Sequence, residues 1–219
     1  MSCTRLPRAV LIAAAGSLVV ALSACSSGDS NGSSASSAAG SSASGSAAGT
    51  AATTEAPFGP GCAAVPAEGP GSFAAMAAAP VAAAASGNPA LSALVQAMTT
   101  ANLVDSLNTT PELTVLAPAN PAFEAVPPDT LKTVQADNAQ LTALLLHHVI
   151  QGRLTPDRLA GKHTTLNNDV VTIEGSGDRF TIAGEGTLSG TAASVICGNV
   201  PTANATVYVI DQVLKPTAP

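Results

Sequence analysis

Basic side chains are scarce in this chain, 8 Lys and Arg against 14 Asp and Glu, and that scarcity removes whole classes of partner. Lys132, Arg153, Arg158, Lys162, Arg179 and Lys215 stand singly among acids, so no stripe can neutralise a row of phosphates, and nucleic acid is not an expected partner. The same poverty of positive charge disfavours adsorption to anionic lipid, so membrane attachment calls for a covalent anchor. Metal-site spacing is missing too, because His147, His148 and His163 form no Cys-x-x-Cys or His-x-x-x-His pattern. Ser189 and Ser194 lack the Gly-x-Ser-x-Gly context of a nucleophile elbow. Gly184, Gly186 and Gly190 flank β-prone residues rather than opening a helix after a strand, which leaves no phosphate-cradling loop. Asp157, Asp169, Asp178 and Asp211 are spread too widely for a calcium loop or a catalytic carboxylate pair. These absences predict a protein with no catalytic residue, no metal and no cofactor.

Large apolar side chains are also missing from one long stretch. Residues 26–57 hold 28 Gly, Ala, Ser or Thr in 32 positions and no Leu, Ile, Val, Met or aromatic residue, so nothing there can form a core. A flexible coil with an r.m.s. span of about 30 Å is expected. Before it, Arg5 and Arg8 lead an uncharged run from Ala9 to Ala24, the layout of a signal peptide. That run is shorter than the roughly 20 residues needed to cross a bilayer core. It ends in Leu22-Ser23-Ala24-Cys25, which resembles the bacterial lipobox. The resemblance implies cleavage before Cys25 and a diacylglycerol on its sulfur; an ordinary signal peptide with a cysteine near its end is the alternative. Losing residues 1–24 removes Arg5 and Arg8 and no acid, which leaves 6 basic and 14 acidic side chains and a charge of about −8.

Four cysteines look like an even set, but Cys3 leaves with the signal peptide and Cys25 is spent on lipid. Cys62 and Cys197 remain, and in an exported, oxidising location they are expected to pair. The bond would tie the start of the folded part to its last strands.

Residues 58–219 carry nearly all the branched apolar side chains, enough for one domain. Ser72 is placed to cap a helix beginning at Phe73, and Leu91, Leu94, Val95 and Met98 predict a helix over about 90–100. Thr114-Val115-Leu116 reads as a short strand stopped by Pro118. Pro127-Pro128-Asp129 opens another helix, and Leu141, Leu144, Leu145, His148 and Val149 share one helical face, which aims His148 at the core and leaves His147 about 100° away. After Gly161 come β-prone runs at 170–173, 179–182, 194–197 and 206–214, with Gly175 to Asp178 as a hairpin loop. Helices first and strands later predict an α+β fold. Asp211 is expected to bond backbone at a strand end. Asn108 and Asn204 match the glycan-acceptor pattern, which in a bacterial chain is usually without consequence.

Thr114-Val115-Leu116-Ala117-Pro118-Ala119-Asn120-Pro121-Ala122-Phe123 resembles the first fasciclin motif. Gly198-Asn199-Val200 with Thr206 to Pro216 resembles the second, and Leu144 to Val149 occupies the place of the Tyr-His segment between them. On these motifs the chain is identified as a fasciclin-domain protein over roughly 66–219, similar to the mycobacterial secreted and lipid-anchored fasciclin antigens. The resemblance implies a single domain, a β-sandwich or wedge flanked by several helices, and a disulfide at positions like Cys62 and Cys197. It implies structural roles for Thr114, Pro118, Asn120, Phe123, His148 and Asp211. Leu116, Ala119 and His147 depart from the usual Phe, Thr and Tyr, and without the Thr hydroxyl Asn120 becomes the expected partner of a buried His148. The implied function is a non-catalytic adhesion or interaction module and antigen on the extracytoplasmic face of the cell membrane, partly shed or secreted. Its partners would be a surface protein or glycan and, where the bacterium meets a host, host lipoprotein receptors. A lipid- or glycan-binding envelope carrier, or a hydrolase-like protein, is the alternative.

Overall fold

In the computed structural model, which describes residues 56–216, short helices precede the sheet and owe their existence to caps and burial more than to length. The expected signal peptide, Cys25 and nearly all of the Ser/Gly/Ala segment lie outside the described residues. Helix α1 (Phe73–Ala78) starts where the Ser72 hydroxyl accepts the Ala75 amide at 3.3 Å. Pro80 separates it from α2 (Val81–Ser86), and a turn at Pro89–Leu91, capped by Asn88, leads into α3 (Ser92–Thr100) and α4 (Val104–Thr109). Each is too short to persist alone. Met76, Val81, Leu91, Leu94, Met98 and Leu107 bury them in one core against Leu113, Val115 and Val207 of the sheet. Asn204 adds a polar knot: its Oδ1 accepts the Val81 amide at 2.9 Å, and its Nδ2 donates to the carbonyls of Leu107 and Thr110 at 2.7 and 2.8 Å.

The remaining elements are β1 (Leu113–Pro118), α5 (Asn120–Glu124), α6 (Pro128–Ala136), α7 (Asn138–His147), β2 (Val149–Gln151), α8 (Pro156–Leu159), β3 (Gly161–Thr164), β4 (Val170–Ser176), β5 (Arg179–Ile182), β6 (Ala193–Pro201) and β7 (Ala205–Ile210). Seven strands form one sheet in the order β2-β1-β7-β6-β5-β4-β3. Only β1 and β7 run parallel, with Val115 opposite Val207 and Ala117 opposite Val209. The two ends of the sheet meet at a bridge between Ile150 and Thr165, so the sheet bends on itself almost to closure. The fold is α+β, a wedge of sheet flanked by helices.

Burial follows from this bend. Ala205, Val207 and Val209 of β7 face the helical core, while Tyr208 and Ile210 face the inside of the bent sheet with Leu116, Phe180 and Leu214. Central strands buried on both faces therefore read as unbroken apolar runs, whereas β4 and β5, wet on one face, alternate with Val171, Ile173, Phe180 and Ile182 inward. The turn between β4 and β5 is Gly177-Asp178, and Gly175 before it has φ 131°, with the Arg179 carbonyl oxygen 2.0 Å from where a Cβ would sit.

Two element boundaries differ from expectation. Helix α7 stops at His147 and Val149 already belongs to β2, because β-branched Val149 and Ile150 find partners in Val115 and Thr114. The last strand ends at Ile210; Val213 and Leu214 follow it as a separate buried segment, with Leu214 bridging Thr187. Strand β3 and helices α4 and α8 carry too few residues to announce themselves in a periodic pattern.

Candidate functional site

The site grows from the end of α7, where two adjacent histidines are both buried, each 2% exposed. Their rings stand at 89° with centroids 6.3 Å apart, so neighbouring positions do point apart, yet both find cover. His148 sits just past the helix end, where its Nδ1 donates to the Leu144 carbonyl at 2.8 Å and its Nε2 accepts the Leu214 amide at 3.0 Å. Burial pushes its pKa down to about 4, overcoming the stabilising carbonyl of Leu144, so the ring is neutral at pH 7. It fastens α7 to the segment after β7. Asn120, the expected partner, is elsewhere: it accepts from the Ala93 amide at 3.0 Å and donates to the Pro89 carbonyl at 2.9 Å. With helical backbone at its own position, Asn120 is turned toward α3, and His148 reaches the first motif through main chain alone, Leu116 N–H to His148 O at 2.8 Å.

His147, placed about 100° around α7 from the core-facing side, is covered by the loop from Thr165 to Asp169. Asn168 takes φ 61° there, a left-handed residue that turns the loop back on itself. Asp169 Oδ1 accepts from His147 Nδ1 at 2.6 Å and from the Thr165 hydroxyl, while Oδ2 accepts from Asn167 Nδ2 at 3.0 Å. Burial alone would raise the Asp169 pKa, but the donors Thr165, His147 and Asn167 together hold it below the ordinary carboxylate value. An ionised Asp169 fixes the proton of His147 on Nδ1. In the sequence Asp169 is one acid among scattered ones; the adjacent Thr165-x-Asn167-x-Asp169 pattern was the available signal, since those residue types bond locally in turns.

Beside this node lies an open groove of about 1000 Å³ between α6 and α7, walled on its other side by the 167–170 segment, Leu188 and Lys215. A cleft of about 170 Å³ adjoins it past Val170 and Lys215 and is lined by His147 and Glu185. The arrangement orients an imidazole through a carboxylate, but neither serine singled out in the sequence lines the cleft beside His147, and the Ser189 hydroxyl is engaged elsewhere. Ser189 donates to Gln212 Oε1 at 2.6 Å, and the Ser194 amide donates to Asp211 Oδ1 at 2.7 Å. His163 bonds the Leu159 carbonyl at 2.8 Å. Among the described residues no group of three or more His, Cys, Asp or Glu is disposed to hold a metal.

The other motif residues serve the frame. Thr114 donates to the Gly152 carbonyl at 2.7 Å and accepts the Leu154 amide at 2.8 Å, turning the chain after β2. Pro118 is the last residue of β1, opposite Ile210, and Phe123 packs between the helical core and a small cluster of Ala122, Val126, Leu144 and Val213. Cys62 and Cys197 are disulfide-bonded with Cα atoms 4.8 Å apart. Of the two glycan-acceptor asparagines, Asn204 is the knot described above and Asn108 Oδ1 accepts the Ala82 amide at 3.0 Å. Cys25 lies outside the described residues.

The chain is 44% identical over 168 residues to the cell surface glycolipoprotein MPB83 of Mycobacterium bovis, covering 73% of this chain and 72% of that protein. It is 40% identical over 168 residues to the immunogenic protein MPB70 of the same species, covering 73% of this chain and 82% of that one. A solved FAS1 domain pair from the insect cell adhesion molecule fasciclin I is 26% identical with a TM-score of 0.46, over 59% of this chain and 46% of that chain. A family model described as the fasciclin domain matches residues 89–216, from the turn before α3 to the end of the segment that follows β7. Together with the relatives' identity over most of their length, that match makes this chain a member of the fasciclin family.

Proposed function

We propose that the protein is a cell-surface lipoprotein, held at the extracytoplasmic face of the membrane by a lipid on Cys25, whose fasciclin domain works by contact with a surface protein or glycan and turns over no substrate. The observation that carries the reading is the 44% identity to a relative named a cell surface glycolipoprotein. The side-chain chemistry of the described residues supports it. Both domain cysteines are in a disulfide, His148 is locked between Leu144 and Leu214, and Ser189 and Asp211 are bonded within the fold. Such a module binds weakly as a single copy and gains avidity when many copies are anchored side by side.

Vesicles bearing the lipidated protein should adhere to envelope material or host cells more than vesicles bearing residues 25–57 alone, and soluble domain should compete. Equal adhesion by the two, or a hydrolytic rate removed by one point substitution, would overturn the reading. Mass spectrometry of the N-terminal peptide tests the anchor, since a Cys25→Ala protein still found in the membrane fraction is incompatible with it.

A further inference from the structure

We propose that the groove between α6 and α7 binds an amphiphile with an aliphatic chain and an anionic head. The groove's volume of about 1000 Å³ is at the upper end of what small-molecule sites enclose. Its floor is apolar: Leu144 lines it together with Val134 and Leu188, which pack against the buried cluster of Ala122, Val126, Leu144 and Val213 and stay half-exposed to the groove themselves. Val170, on the rim, is 49% exposed, and no other large hydrophobic side chain among the described residues is as open to water. An exposed apolar residue at the mouth of an apolar trough marks a surface that gains from an apolar occupant.

The charge at the groove selects the head. Asp169 lines the groove as an ionised carboxylate, but both of its oxygens are taken by hydrogen bonds from His147, Thr165 and Asn167 and are not free to receive a cationic head. Lys215 is exposed at the groove wall, and among the described residues the one ion pair is His147 with Asp169, so the Lys215 ammonium is unmatched there. Glu185 lines the adjoining cleft with Lys215 but makes no ion pair with it. An apolar trough with one free cation at its wall fits a chain ending in a carboxylate or phosphate. The site is separate from the contact reading proposed above, and either can fail alone.

The exported chain, residues 25–219 with Cys25→Ser so that it carries no lipid of its own, is titrated by calorimetry with decanoate, dodecanoate and tetradecanoate below their micelle concentrations, and with 1-dodecanol. Saturable one-to-one binding is expected, tightening by up to about fourfold per methylene until the groove is filled. Thr133→Trp, on an exposed position of α6 that lines the groove, should weaken both dodecanoate and dodecanol at least tenfold with an unchanged melting temperature. Val170→Asp at the rim should do the same and stands in should the first variant misfold. Lys215→Gln should weaken dodecanoate severalfold and leave dodecanol alone. Absence of saturable binding, or binding indifferent to both groove variants, overturns the proposal. So does self-association abolished by Thr133→Trp without uptake of any carboxylate, which would assign the groove to a second copy of the chain.

Discussion

His148 should make this protein lose stability in mild acid, over a window set by its burial. In the unfolded chain its pKa returns to the ordinary value of 6.5, whereas in the fold burial holds it at about 4. Between those values the unfolded state carries a proton that the folded state lacks, so stability is full above pH 6.5 and falls as pH drops toward 4. The slope approaches about 1.4 kcal/mol per pH unit, and the whole window is worth about 3 kcal/mol. The protonated ring cannot accept the Leu214 amide, which ties the electrostatic loss to the bond that fastens α7 to the segment after β7. Urea denaturation of wild type and His148→Gln at half-unit steps from pH 8 to 4 reads this out. Glutamine keeps a neutral acceptor and does not titrate, so the variant should be weaker at pH 8 and nearly level with wild type near pH 4. Two curves that stay parallel throughout would refute the reasoning.

His147→Ala and Asp169→Asn should each cost about 1 to 3 kcal/mol by urea denaturation, and the double variant should cost clearly less than their sum, because both break one network. The contribution of the Asp169 carboxylate is present above its unfolded value of 3.8 and is lost as pH falls through its lower folded value, so Asp169→Asn should flatten the acid limb below pH 4, outside the His148 window. Asn204→Ala should cost about 2 to 3 kcal/mol, with hydrogen-exchange protection lost first at the Val81 amide that it holds. Gly198→Ala puts a methyl 2.3 Å from the Phe58 ring and should cost about 1 to 3 kcal/mol, with faster proteolysis between residues 56 and 60 as the readout.

Elements whose signal is local were legible in the sequence. Ser72 caps α1 through a bond within three residues, the hairpin at Gly177-Asp178 needs only its glycines, and alternation in β4 and β5 reports one wet face. What failed depended on distant chain. Whether His147 is buried is decided by the loop from Thr165 to Asp169, which helical angles cannot include, and His148 chose Leu214, 66 residues on, over Asn120. The groove is equally invisible, because its walls come from α6, α7, the 167–170 segment and the chain near 188 and 215, none of which is unusual alone. Of the motif residues, Thr114 and Asp211 bond main chain beside strand ends and Pro118 is the last residue of β1.

The N-terminal clasp sets how the domain meets a load entering from the side of residue 56. Phe58 exchanges backbone hydrogen bonds with Gly198 at 3.1 and 2.8 Å, its ring lies 6.0 and 6.3 Å from those of Phe180 and Tyr208, and Cys62 is covalently joined to Cys197 of β6. Force applied at the N-terminal side therefore passes at Cys62 into the sheet and bypasses α1 to α8, whose residues all lie inside a disulfide loop with a sequence separation of 135. Closing that loop stabilises by about 5 kcal/mol in the chain-entropy model. It also withholds those residues from extension, roughly 450 Å of chain at about 3.4 Å each. Pulling single molecules between residue 56 and the C-terminus, the oxidised protein should lengthen only by the chain outside the loop, and the Cys62→Ala, Cys197→Ala protein should lengthen by roughly 450 Å more and unfold at lower force. Equal extensions would mean that the bond does not carry the load, and an unchanged unfolding force would mean that α1 to α4 are held by their packing and the Asn204 knot alone.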